Sequence, residues 1–252
     1  MSVNSKMTAI ADAIRDKTGK TDTLTLEQMA TEIATIETGG GGFSFEQIAT
    51  PDGVVIDNLD LDFNITRSHA FYGNKGIRKV TLHPGFKGNY NTGITHLFSS
   101  SAVEEIDCVD FEPDLYNYVY GLNPNMFSHC TNLTYAKLGS FAIAAEEFKG
   151  CTKLKIVDTS CPTLSADNGF QNCAAFDTFI LRSTTLVPLN RASTYWAFMF
   201  NGTPFDDNPA GSGGTVYVPA ALVSEYEQAT NWSTLFAVGT CKFVAIEGSE
   251  YE

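Results

Sequence analysis

The chain has 252 residues, of which 43% are hydrophobic and 18% charged, a balance typical of folded proteins with a substantial core. Its formal net charge is −13 at pH 7, so its surface repels phosphate backbones and anionic lipid headgroups. We therefore expect a protein that binds neither nucleic acid nor membranes. No apolar run approaches the roughly 20 residues needed to span a bilayer, and the first residues lack a signal-peptide core. These features predict synthesis in the cytoplasm without signal-directed export.

Residues 1–38 have the pattern of two short amphipathic helices, which would form a helical hairpin. Helices this short do not bury two apolar faces by themselves, so we expect the hairpin to bind copies of itself or another protein. The apolar positions that predict this assembly surface are Met7, Ile10, Ile14, Met29, Ile33 and Ile36. Residues 39–42 are four glycines, which predict a flexible linker after the hairpin.

Residues 43–66 alternate apolar and polar side chains, a pattern typical of strands. We interpret them as a strand cap that covers the first coil of the repeats that follow. Asp57, Asp60 and Asp62 are an alternative calcium ligand set, but the Asp-x-Asn-x-Asp-Gly loop that binds calcium is missing.

Residues 67–210 contain a repeated unit of Phe, two residues, Cys, two residues and an apolar residue. It occurs at Phe127/Cys130/Leu133, Phe148/Cys151/Leu154 and Phe170/Cys173/Phe176, with Cys steps of 21 and 22 residues. A short strand-like run follows each unit. Such a period is typical of a solenoid, in which stacked coils bury the apolar face that no coil buries alone. Looser units at Phe71 and Phe98, and a sixth that we place at Phe198, predict about six coils.

The three repeated cysteines occupy equivalent places in successive coils. We expect them to stack about 5 Å apart as free thiols that point into the core, with disulfides as the alternative. The chain has no Cys-x-x-Cys pair, so we do not expect a zinc site.

Residues 211–252 lack the Phe unit and have the pattern of a terminal cap. The sequence predicts a strand at 215–218, a helix from Pro219 to about Ala229 with Leu222 and Tyr226 facing inward, and a last strand at 241–246. The fold class predicted for the whole chain is therefore α+β: a helical hairpin, a β-solenoid of about six coils and a helix/strand cap.

The Phe-x-x-Cys-x-x-Leu units resemble the BspA-like class of bacterial leucine-rich repeats. Two units match that pattern at all three positions, and the third has Phe176 in place of Leu. The closing segment from Val216 to Trp232 is also similar to the end of such proteins. The resemblance implies a leucine-rich-repeat fold.

The run from Met7 to Lys20, continued by residues 26–33, resembles a short module at the head of tail, fibre and baseplate-associated proteins of phages that infect Gram-positive gut bacteria. This resemblance implies a virion protein that binds other virion proteins through residues 1–38 and forms a homo-oligomer. A tail fibre or baseplate-associated protein that binds the host surface is the leading hypothesis. A capsid decoration (head fibre) protein, or a bacterial surface adhesin or interaction module, is the alternative.

Catalytic constellations do not stand out in the sequence, and we expect neither an enzyme nor a cofactor. His69, His83, His96 and His129 lack metal-ligand spacing, and Asp206-Asp207 lies in a Pro/Gly loop where we expect exposure to solvent. The longest coils carry exposed aromatic candidates for binding a host glycan or protein, because rigid rings give contact area at low entropy cost. These candidates are Tyr116, Tyr118, Tyr120 and Trp196. The alternative for the three alternating tyrosines is that they pack onto the neighbouring coil or a symmetry mate.

Overall fold

The computed structural model describes residues 10–12, 14–15, 54–61, 69–83, 95–108, 125–139, 143, 145–164, 168–189, 198–207 and 210–252. The chain divides into two compact units, residues 1–46 and residues 47–252. In the first unit, residues 10–12 and 14–15 are helical, Ile10 is half-buried, and Ile14 is buried. Met7, Met29, Ile33, Ile36 and the glycines at 39–42 lie outside the described residues, so the helical hairpin stays a prediction.

The described residues of the second unit form one parallel sheet of eight strands, whose order in space is their order in the chain. The strands are β1 (Leu59–Leu61), β2 (Lys79–Leu82), β3 (Glu105–Cys108), β4 (Tyr135–Leu138), β5 (Ile156–Thr159), β6 (Thr178–Leu181), β7 (Gly214–Val218) and β8 (Cys241–Ala245). Each strand pairs with the next in parallel, so every connection returns the chain to the same end of the sheet. This arrangement is compatible with a solenoid-like repeat, and the strands of the repeated units lie where the sequence predicts them.

One face of the sheet forms the core, because alternate strand residues point to opposite faces. The second residue of each strand from β2 to β6 and the third residue of β7 are buried without exposed surface. These inward residues are Val80, Ile106, Ala136, Val157, Phe179 and Val216. The residues between them form the outward face.

The repeated phenylalanines form one continuous column inside the second unit. Neighbouring ring centroids from Phe71 through Phe98, Phe127, Phe148 and Phe170 to Phe200 lie 5.0, 5.3, 5.9, 5.5 and 6.0 Å apart, and each pair of rings is within 8° of parallel. The prediction of Phe198 as the sixth member is wrong. Its ring is perpendicular to that of Phe200, at 88°. The Phe148 N–H donates to the carbonyl of Gly169, the residue directly before Phe170. In the same way, the Phe170 N–H donates to the carbonyl of Met199, so Phe200, which follows Met199, is the next member of the column.

The repeated cysteines connect successive coils through hydrogen bonds. The thiols of Cys130 and Cys151 donate to the carbonyls of Phe98 and Phe127 at 3.1 Å, and Cys173 donates to Phe148 at 3.0 Å. All six cysteines fall within the described ranges and are buried and free, which confirms the prediction of free thiols. Burial raises the pKa of the Cys130 thiol to about 11, so the thiol stays protonated and remains a donor.

Two helices fill the connection between β7 and β8. A 3₁₀ helix at Ala220–Leu222 leads into α1 (Val223–Gln228), and α2 (Trp232–Ala237) follows. The helix that the sequence predicts from Pro219 to about Ala229 ends one residue earlier, at Gln228. Helix α2 is not among the elements predicted from the sequence. Trp232 Nε1 donates to the Val187 carbonyl, and the Val187 N–H donates to the Tyr226 hydroxyl, both at 2.9 Å. Among the described residues, no helix is long and apolar enough to cross a membrane.

Candidate ligand-binding groove

The outward face of the sheet changes character from β2 to β7. At β2 and β3 it carries an ionic cluster, in which the Lys79 ammonium lies 2.5 Å from Glu105 and 3.7 Å from Asp107. At β5, β6 and β7 the outward positions include Ile156, Ile180 and Tyr217. Apolar and aromatic side chains on a face that is otherwise polar indicate that something covers this part of the sheet.

Part of the cover is the last segment of the chain, residues 246–252, which turns back over the sheet after β8. The Arg182 guanidinium donates to the Tyr251 carbonyl at 2.9 Å. The same guanidinium donates two bonds to the Asp158 carboxylate, at 2.7 and 3.0 Å. Asp158 is buried, so this two-point contact lies in a partly desolvated place and is stronger than a surface ion pair. Arg182 therefore ties the closing segment to β5 and β6.

A groove with a volume of about 690 Å³ opens on this face, at the amino-terminal ends of β5 to β8. Its size is in the range of small-molecule sites. Outward side chains at the start of each strand form its floor, and residues 250–251 form one wall. The side chains that line the groove include Thr178, Thr215, Tyr217, Lys242, Glu250 and Tyr251.

Two aromatic rings form a corner in the groove. The centroids of Tyr217 and Tyr251 are 4.7 Å apart and their planes meet at 70°, so the edge of one ring faces the other. Burial raises the pKa of the Tyr251 phenol above its ordinary value of 10.0, and the charge of the Glu250 carboxylate adds to the rise. The phenol is therefore neutral at physiological pH, and its hydroxyl forms hydrogen bonds with the side chains of Glu250 and Thr178.

The other lining groups are polar, and their charges balance. Lys155 and Lys242 carry two positive charges, and Asp177 and Glu250 carry two negative charges, so the formal charge of the lining is zero. Gly239 has a left-handed backbone, at φ +79°, and the space around it is open, since an added Cβ would meet nothing within 4 Å. The groove therefore offers aromatic surface, hydroxyls and balanced charge rather than an apolar cavity.

The predicted binding residues are not those of the groove. Tyr116, Tyr118, Tyr120 and Trp196 lie outside the described residues, so their role in binding stays a prediction. The groove was not predicted from the sequence, because the candidate binding residues were placed in the insertions of the longest coils. The available signal was the alternation within the short strands: Ile156 and Tyr217 occupy outward positions next to the buried Val157 and Val216, where a solvated sheet would carry polar residues.

In the described part of the chain, no group of three or more His, Cys, Asp or Glu residues is arranged to hold a metal ion. The rings of His69 and His96 stack at 4.9 Å. The expected exposure of Asp206 is wrong. Its side chain is buried, and its Oδ2 accepts a hydrogen bond from the Gly202 N–H at 2.7 Å, because the carboxylate closes the loop on itself.

Comparison with known proteins does not identify a family for this arrangement. No protein-family model and no curated protein sequence matches the chain.

Proposed function

We propose that the chain is a structural protein of a phage virion, a tail-fibre or baseplate-associated protein that displays a leucine-rich-repeat solenoid toward the host surface. The observation that carries the binding role is the open groove over β5 to β8, which has the size and the mixed aromatic and polar lining of a recognition site. The virion assignment rests on the resemblance of residues 7–33 to the head module of phage tail, fibre and baseplate-associated proteins.

The interior of the second unit supports a display role. Parallel stacking of phenylalanines from Phe71 to Phe200 and thiol-to-carbonyl bonds between coils fasten each unit to the next. A body held this way gives the groove a fixed geometry, so a ligand binds without first ordering a loop. These contacts also support the finer proposal that the parallel sheet belongs to a BspA-like leucine-rich-repeat solenoid.

Residues 1–38 are the proposed assembly module. The two short amphipathic helices that the sequence predicts would need a partner for their apolar faces, and the four glycines at 39–42 would let a docked module and a displayed body orient independently. The partners are other virion proteins and further copies of this chain.

The proposal is tested on phage particles that encode the chain. We expect antibody against residues 47–252 to label the tail tip or baseplate in electron micrographs. A phage that encodes the chain without residues 1–42 should make the second unit in soluble, folded form but leave it out of particles. A full chain absent from purified particles contradicts the virion role. Label on the capsid supports a head fibre instead, and label on uninfected bacteria supports an adhesin.

A further inference from the structure

We propose that the groove formed by the amino-terminal ends of β5 to β8 and the closing segment binds a neutral oligosaccharide, with a sugar ring seated in the corner between Tyr217 and Tyr251. This inference rests on the proposed function for its biological setting, since it names the ligand class that the displayed surface takes. The ligand class itself follows from the residues that line the groove.

Charge excludes the ionic ligands first. An anionic ligand would meet the carboxylates of Asp177 and Glu250 as well as the two ammonium groups, on a protein whose formal net charge is −13. A cationic ligand would meet Lys155 and Lys242. Because the lining carries two charges of each sign, it favours a ligand without net charge that forms hydrogen bonds with both kinds of group.

The aromatic corner then selects among neutral polar ligands. A sugar ring has hydroxyls around its rim and C–H groups on its faces, and the faces pack against aromatic rings. Tyr217 and Tyr251 pack edge to face, with centroids 4.7 Å apart and planes at 70°, so the ring that contributes its edge to this contact keeps its own faces for a ligand. Both side chains are only partly buried, so a ligand removes further aromatic surface from water.

The hydrogen-bonding groups surround this corner. Thr178 and Thr215 are outward residues of neighbouring strands, and Lys242 follows on β8. Neighbouring strands lie about 4.8 Å apart, so these groups form a row at regular intervals that suits a chain of linked sugars. An extended peptide could not add a strand beside β5, β6 or β7, because the backbone groups of these strands already pair within the sheet, and the sheet edge at the groove is that of the last strand, β8.

The experiment applies the purified full-length chain to an array of neutral, anionic and cationic oligosaccharides, and then measures affinity for the best binder by titration calorimetry. We expect binding to neutral oligosaccharides. Tyr251→Ala and Tyr217→Ala should each weaken binding by about tenfold or more, while Tyr217→Phe, which keeps the ring, should retain most of it. Tyr72→Ala is the matched control, because Tyr72 is a half-buried tyrosine beside His69, in the turn of the Phe71 unit, and does not line the groove.

Thr215→Val separates loss of binding from loss of folding, since it removes one hydroxyl from the groove at nearly constant volume. It should weaken binding without changing the melting temperature. Binding restricted to charged oligosaccharides or to peptides, no binding on the array, or equal affinity in all the variants overturns the proposal. A chain that is found in virions and binds host cells but no oligosaccharide refutes the ligand class and leaves the proposed function standing. If the chain is absent from particles but binds a sugar through the groove, the ligand class stands and the proposed function is refuted.

Discussion

Glu147 is a carboxylic acid in a place that the fold otherwise gives to apolar side chains. It directly precedes Phe148, and the residues that precede the other phenylalanines of the column are Ala70, Leu97, Met126, Gly169 and Met199. Glu147 has no exposed surface, and neither of its carboxyl oxygens has a hydrogen-bond partner in the described part of the chain. Desolvation raises the pKa of this carboxyl well above its ordinary value of 4.5.

Glu147→Met should therefore stabilise the protein, and the gain should grow with pH. A buried polar group without a hydrogen bond costs about 1–3 kcal/mol, and this part of the gain is present even in acid. The carboxyl is protonated in both states well below pH 4.5. Above that pH the unfolded chain loses the proton while the folded protein keeps it, so the free energy of unfolding falls by about 1.4 kcal/mol per pH unit. The fall ends when the pH passes the raised pKa of the folded state.

The measurement is chemical denaturation of the wild-type protein and the variants at a series of pH values from 4 to 7. The difference between Glu147→Met and wild type isolates this carboxyl, because all other titrating groups are common to both proteins. Glu147→Gln should remove the pH-dependent part of the destabilisation, because an amide does not titrate. It should keep most of the pH-independent cost, because the amide is still a buried polar group without a partner. Met126→Leu, at the equivalent place in the preceding coil, is the control and should shift stability by a pH-independent amount of less than about 1.5 kcal/mol. A Glu147→Met variant no more stable than wild type at pH 7 would refute the reasoning.

Three further perturbations test the packing of the second unit. Phe148→Ala should cost about 3–5 kcal/mol, because its buried ring stacks between Phe127 and Phe170; a loss below about 1 kcal/mol in denaturant would show that the column does not carry the core. Gly150→Ala should cost about 1–3 kcal/mol, because the backbone is left-handed at φ +75° and the new Cβ would lie 2.5 Å from His129 Nδ1. In a His129→Ala background, Gly150→Ala should cost less stability, because the clash with the imidazole is gone, but the cost of the left-handed backbone should remain. If Gly150→Ala cost nothing in that background, the backbone contribution would be refuted. A thiol-reactive reagent should label none of the six cysteines in the folded protein and all six in denaturant, and rapid labelling of the native state would contradict their burial.

The repeat units determine much of the second unit from the sequence alone. Phe127, Phe148 and Phe170 share one place in the period, so one buried column follows from their spacing. The short runs after them alternate with a period of two, which predicts both the strands and their inward residues. Free thiols at Cys130, Cys151 and Cys173 follow as well, because equivalent positions point in the same direction. Local periodicity encodes these features, so distant parts of the chain do not need to be known.

Only the tertiary structure decided the features that depend on distant partners. Phe198 and Phe200 both fit the composition of the unit, and the hydrogen bond from Phe170 to the Met199 carbonyl is what selects Phe200. The groove brings residues of four strands together with Tyr251, which Arg182 holds from 69 positions away in the chain. Whether the Glu147 carboxyl has a hydrogen-bond partner depends in the same way on the coils that pack around it. Periodicity predicts which face of a strand a side chain lies on. Contacts between distant segments depend instead on how the insertions and the closing segment pack, and no local sequence pattern predicts that packing.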